Sequence, residues 1–106
     1  MLRPLLLVAP FALALVLPGA AGAGEIVEVD IANFAFDPSV VQIHAGDAVL
    51  WRNLDDFEHT TTLDGVWDSG ELWQDETFAY TFDLPGVFPY RCAFHPTMVG
   101  AVVVQP

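Results

Sequence analysis

From Glu25 onward, apolar and polar residues alternate with the period of two that places successive side chains on opposite faces of a strand. Val27, Val29 and Ile31 share one face and Glu28 and Asp30 the other, and Asn33 to Phe36 is expected to continue this strand until Asp37-Pro38 ends it. Val41 and Ile43 point inward with Gln42 and His44 outward, and Ala45-Gly46-Asp47 then reverses the chain. Val49 and Trp51 form the inward set of the next strand, and the β-branched run Thr60-Thr61-Thr62-Leu63 favours another. Trp67 and Trp73 fall in short irregular segments punctuated by Asp64-Gly65 and Asp68-Ser69-Gly70, and one or both are expected to cover the core. Phe78, Tyr80 and Phe82 alternate with polar or small residues up to the turn Leu84-Pro85-Gly86. Phe88, Tyr90 and Cys92 then share one parity, so the thiol faces the core and Arg91 faces water, and Gly100 to Val104 makes the closing strand. No stretch shows a helical period. About seven to eight short strands in so small a chain predict an all-β, Greek-key β-sandwich or barrel.

The alternation is absent at the N-terminus. Arg3, an apolar run from Leu5 to Leu17 and the small residues Ala21-Gly22-Ala23 read as a secretory signal peptide over residues 1–23, with one domain over residues 24–106. The run is too short to span a membrane and is interrupted by Pro10, which favours cleavage over a retained anchor. Cleavage removes one arginine and no acid, moving the formal net charge from −11 to −12, with no lysine anywhere. Such a surface repels phosphates and so excludes nucleic acid as a partner. It either steers a basic partner or simply confers solubility.

Candidate chemistry concentrates in one loop. Cys92, His95 and Met98 stand at C-x-x-H-x-x-M spacing, and a second imidazole would complete a His₂Cys plane with a weak axial thioether, a donor set that selects copper over zinc. His59, at a strand entrance beside a loop, is the obvious donor, whereas the parity of His44 turns it to solvent. Cys92 is the only cysteine, so an exported chain has no disulfide partner for it, and ligation explains it better than inert burial. A dinuclear centre bridged by two thiolates is excluded by the same count, and a fused copper enzyme by the length of 106 residues.

These residues resemble the small blue copper proteins of the plastocyanin and amicyanin kind, within the cupredoxin fold. The resemblance runs through Ala45-Gly46-Asp47, Trp51-Arg52-Asn53, His59-Thr60, Asp68-Ser69-Gly70, Phe78-x-Tyr80-x-Phe82, Pro85-Gly86 and Tyr90-x-Cys92-x-x-His95-Pro96-x-Met98-x-Gly100. It implies one type 1 copper per chain, bound strongly by His59, Cys92 and His95 with Met98 axial, and it implies that Asn53 ties the His59 loop to the Cys92 loop. It also implies that the His95 edge emerges through an apolar docking patch, for which Phe57, Ala93, Phe94 and Pro96 are candidates. Phe94 stands where the amicyanin loop often has proline, Arg91 where plastocyanin has an aromatic residue, and Trp73-Gln74-Asp75 where a Pro- or Gly-rich turn is common.

The expected function is therefore a soluble, monomeric one-electron carrier of the periplasm that is not an enzyme. Its partners would be redox proteins with basic docking surfaces, such as a cytochrome or a periplasmic dehydrogenase, with no nucleic acid and no membrane involved. Asp55, Asp56 and Glu58, just before His59, are expected to recruit such a partner through salt-screened attraction. The same ligands would serve a periplasmic copper storage or delivery protein, although such proteins favour sites richer in Met and His. A metal-free interaction module would leave the four candidate ligands as coincidences.

Overall fold

The computed structural model describes residues 24–106. The signal peptide expected over residues 1–23 lies outside the described residues. The alternating segments form β1 (Ile26–Ala32), β2 (Ala35–Asp37), β3 (Val40–His44), β4 (Ala48–Asn53), β5 (Thr62–Leu63), β6 (Trp67–Asp68), β7 (Thr77–Thr81), β8 (Gly86–Arg91) and β9 (Val99–Gln105). One sheet has the order β2-β1-β4-β7 and the other β3-β9-β8-β5-β6. Each contains one parallel pair, β1 with β4 and β3 with β9, among antiparallel neighbours. Among the described residues there is no helix, so the all-β sandwich expected from periodicity stands.

The inward parities hold where both sheets close over them. Val29, Ile31, Val41, Ile43, Val49, Trp51, Tyr90 and Cys92 are all buried. Of the two irregular tryptophans, Trp67 is buried on β6 and Trp73 is 51% exposed. The first strand differs from its expected course. Asn33 and Phe34 turn back with φ of 55° and 59°, so Ala35 to Asp37 pairs with β1 as a hairpin instead of prolonging it. The alternation changes phase at this turn, with apolar positions odd up to Ile31 and even at Phe34 and Phe36.

Chain reversal between the sheets uses Gly46, whose φ of 100° suits glycine, and Asp47, whose carboxylate accepts the backbone N–H groups of Glu25 and His44. Those two N–H groups hold the Asp47 carboxyl below its usual range. At the centre, the Trp51 Nε1–H donates to the Tyr90 Oη at 3.1 Å, with the two rings nearly perpendicular at 5.4 Å. The backbone at Gly100 passes so close to this phenol that a Cβ there would meet Tyr90 at 2.6 Å.

Burial pushes the Tyr90 phenol up from its ordinary 10.0 to about 12, against the Trp51 N–H, which favours the phenolate. The fold therefore favours the neutral phenol. Its stability is complete below the unfolded pKa of 10.0 and falls as pH rises toward about 12, because the unfolded chain ionises first. The loss approaches about 1.4 kcal/mol per pH unit in that window. Tyr90→Phe is expected to lower neutral stability by about 1 kcal/mol through the lost hydrogen bond, and to flatten the alkaline decline. Urea unfolding at about pH 9 and about pH 11 checks this, and an equally steep decline in the variant would contradict it.

Candidate metal centre

The two sheets deliver one donor segment each to the same end of the sandwich. Cys92 follows β8 directly, and its N–H donates to the Met98 carbonyl at 3.0 Å while the Met98 N–H donates to the His95 carbonyl at 2.8 Å. These bonds close residues 92–98 into a tight loop, so spacing along the chain becomes convergence in space. The other segment approaches from β4, where His59 forms an isolated antiparallel bridge with Leu72 and is fully buried.

Cys92 Sγ lies 3.8 Å from His59 Nδ1 and 3.7 Å from His95 Nδ1. All three donor atoms fall within 4.8 Å of one another. For bonds of about 2.3 Å to sulfur and about 2.0 Å to nitrogen, subtending about 120°, the S···N separation should be about 3.7 Å, so a first-row ion fits between them. Cys92 and His59 are fully buried and Met98 is 4% exposed, while His95 is half-buried and reaches the surface. His44 is exposed on β3, away from this cluster.

The shell around the donors fixes their chemistry. His59 Nε2 lies 2.9 Å from Asp55 Oδ2, so the ring proton sits on Nε2 and leaves the Nδ1 lone pair aimed at the thiol. Burial of Asp55 opposes its ionisation, but the N–H groups of Phe34 and Asn33 and the His59 imidazole outweigh it and hold the carboxyl below its usual range. Asp55 thus turns inward, with its side chain only 14% exposed, whereas Asp56 in the same acidic run is exposed and Glu58 half-buried.

The Asn53 amide donates to the carbonyls of Phe57 and Leu72 and its oxygen accepts the Asp55 N–H, so it braces the loop before His59. The tie to the Cys92 loop expected of Asn53 is made by Thr60. Its hydroxyl accepts the Ala93 N–H at 2.8 Å, and its own N–H donates to Cys92 Sγ at 3.4 Å.

Around the half-buried His95 stand exposed apolar groups. Phe57 is 50% exposed and Phe94 45%, and Pro96 is also exposed. Phe34, which the alternation pattern assigns to a strand, joins them with its ring centroid 5.1 Å from that of His95. Asn33, a residue that tolerates left-handed backbone, was a local hint of a turn there.

The fold and the thiol-imidazole cluster define a candidate mononuclear metal site within a two-sheet β-sandwich. The chain belongs to the cupredoxin-like family, whose domain model matches residues 5–104. It is 37% identical over 100 residues to amicyanin-alpha of Methylorubrum extorquens, spanning 81% of this chain and 84% of that protein. It is 34% identical over 113 residues to the chloroplastic plastocyanin of Tetradesmus obliquus, spanning 92% and 75% respectively. A solved Cu(I) structure of an amicyanin mutant superposes with a TM-score of 0.71 at 27% identity, covering 76% of this chain and 82% of that one.

Proposed function

We propose that residues 24–106 form a one-electron carrier that cycles a single type 1 copper between Cu(II) and Cu(I), exported to the periplasm by cleavage of residues 1–23. The observation that carries this reading is the convergence of Cys92, His59 and His95 donor atoms within 4.8 Å, with Met98 buried at the end of the same loop. His59, Cys92 and His95 would hold the ion, with Met98 as the axial ligand. Copper supplies two oxidation states that one soft thiolate and thioether set can accommodate. The protein supplies rigidity: Asp55 fixes one imidazole, the closed loop fixes the thiol and the other imidazole, and Thr60 bolts the two segments together. Ligands held this firmly limit how far the site must rearrange between oxidation states. Only His95 approaches solvent, so electrons would pass through its edge to a docked redox partner, and the domain acts as a carrier, not an enzyme.

Asn53 serves this reading as a brace and Phe57, Phe94 and Pro96 as docking surface. The partner would be a redox protein with a basic surface meeting a monomeric, acidic carrier. Neutralising Asp56 and Glu58 together is expected to slow reduction by such a partner about two- to fivefold at low salt and to weaken its salt dependence. Stopped-flow reduction across ionic strength checks this, and an unchanged rate would make the pair an ordinary solvated loop. Among the described residues no helix is long and apolar enough to cross a membrane.

The reading itself is tested by adding one equivalent of Cu²⁺ to the folded protein and recording visible and EPR spectra through cycles of reductant and oxidant. Intense blue colour with a small copper hyperfine splitting, reversibly bleached, supports the carrier. Weak tetragonal signals, or copper lost on reduction, would instead leave a storage or delivery protein.

A further inference from the structure

The turn between β1 and β2 lies over the donor cluster although it contributes no donor atom to it. Asn33 and Phe34 are consecutive residues in the left-handed region, a conformation that two-residue hairpin turns demand and that glycine or asparagine meets at least cost. Phenylalanine there is locally unfavourable, and its side chain is left 45% exposed. Two contacts offset this. Asp55 accepts the N–H groups of Asn33 and Phe34 at 2.8 and 2.9 Å, using for Phe34 the same Oδ2 that meets His59 Nε2. The Phe34 ring in turn stands nearly perpendicular to both imidazoles, 4.8 Å from His59 at 89° and 5.1 Å from His95 at 81°.

The two imidazoles depend on this ring to different degrees. His59 is fully buried, bridged through its backbone to Leu72 and held at Nε2 by Asp55. His95 is half-buried, and beyond the thiol the aromatic rings that surround it are Phe34, Phe57 at 6.3 Å and His59 at 5.3 Å. We infer that Phe34 is a positioning residue for His95: its ring, seated by the Asp55 grip on the turn, keeps the half-buried imidazole in its ligating orientation whether or not copper is bound. The inference rests on the copper reading for its purpose but on the ring geometry for its evidence. It makes the β1-β2 turn a third structural element of the site, alongside the His59 segment and the 92–98 loop.

The test compares wild type with Phe34→Ala and Phe34→Tyr at one fixed pH. Imidazole relaxation by NMR in the metal-free protein and release of Cu(I) to a chelator from the loaded protein are both measured. Phe34→Ala is expected to give His95 slow conformational exchange absent from wild type while His59 stays rigid, and to release Cu(I) about tenfold faster. Phe34→Tyr, which keeps the ring, is expected to match wild type on both counts. Unchanged His95 dynamics and release in Phe34→Ala would overturn the inference, as would equal loosening of His59, which would mean general damage. A wild type that takes up no copper would instead remove the copper reading, and the NMR comparison would then decide the positioning role alone.

Discussion

Replacing Cys92 by serine is expected to give a folded protein that has lost its blue colour and at least about 100-fold in copper affinity, more than the loss of an outer hydrogen-bonding partner costs a metal site. The fold should survive because oxygen is close to sulfur in shape and the Thr60 N–H, 3.4 Å from Sγ, keeps an acceptor. The chemistry should not survive. A serine hydroxyl stays protonated near neutral pH and is hard, whereas the thiolate is the one strong soft donor of the set and the source of the intense charge-transfer colour. The difference also shows in stability. A ligand at about 1,000 times its dissociation constant adds about 4 kcal/mol to folding, so copper should raise the wild-type melting temperature markedly and that of Cys92→Ser far less. Copper titration with visible spectra, and melts with and without the ion, check both. An equally intense colour in the variant would assign the site to a different donor set.

The site was legible in the sequence to the extent that its donors are local. Cys92, His95 and Met98 sit within one loop whose two internal backbone bonds enforce the convergence that their spacing implies, and Cys92 inherits its inward direction from the parity of Tyr90. His59 was legible as the histidine beside a loop at a strand entrance. What surrounds the donors was not legible, because it depends on pairings across the chain. Asp55 reads as one of three clustered surface acids, yet its carboxylate is claimed by two amides more than twenty positions away in sequence. Phe34 reads as one more apolar residue of a strand, since only Asp55 makes a left-handed turn there worthwhile. Thr60 lies in a run whose β-branching favours a strand, but the strand shrinks to Thr62–Leu63 because His59, Thr60 and Thr61 spend their backbone and hydroxyl groups on Leu72, Cys92, Ala93, Ser69 and Trp67. The sandwich itself follows from alternation, but the two parallel pairings that order its sheets leave no mark on a period of two.

The largest effect on the scaffold is expected from Trp51→Ala. Trp51 is fully buried, and its ring packs 5.5 Å from Trp67, 6.1 Å from Phe78 and 5.4 Å from Tyr90. Truncation removes the aromatic contacts, leaves a cavity between the sheets and takes the hydrogen-bond donor from the Tyr90 Oη. Such substitutions cost about 3–5 kcal/mol, against a total stability of about 5–15 kcal/mol for an ordinary domain, so the metal-free variant should be close to unfolding at room temperature. Copper changes the outcome in a diagnostic way. Tyr90 is two residues from Cys92 on the same face of the chain, and Cys92 is bonded through the 92–98 loop and Thr60 to the rest of the donor shell. If that shell is the rigid unit described above, copper should still assemble it in the variant and recover part of the lost stability through binding. Urea unfolding of both proteins, with and without copper, measures this. A large loss in the metal-free form that copper partly reverses, with normal blue spectra, would show that the aromatic core supports the site without shaping it. A variant that binds copper but gives a distorted spectrum would show instead that Trp51, through Tyr90, sets the direction of the Cys92 thiolate.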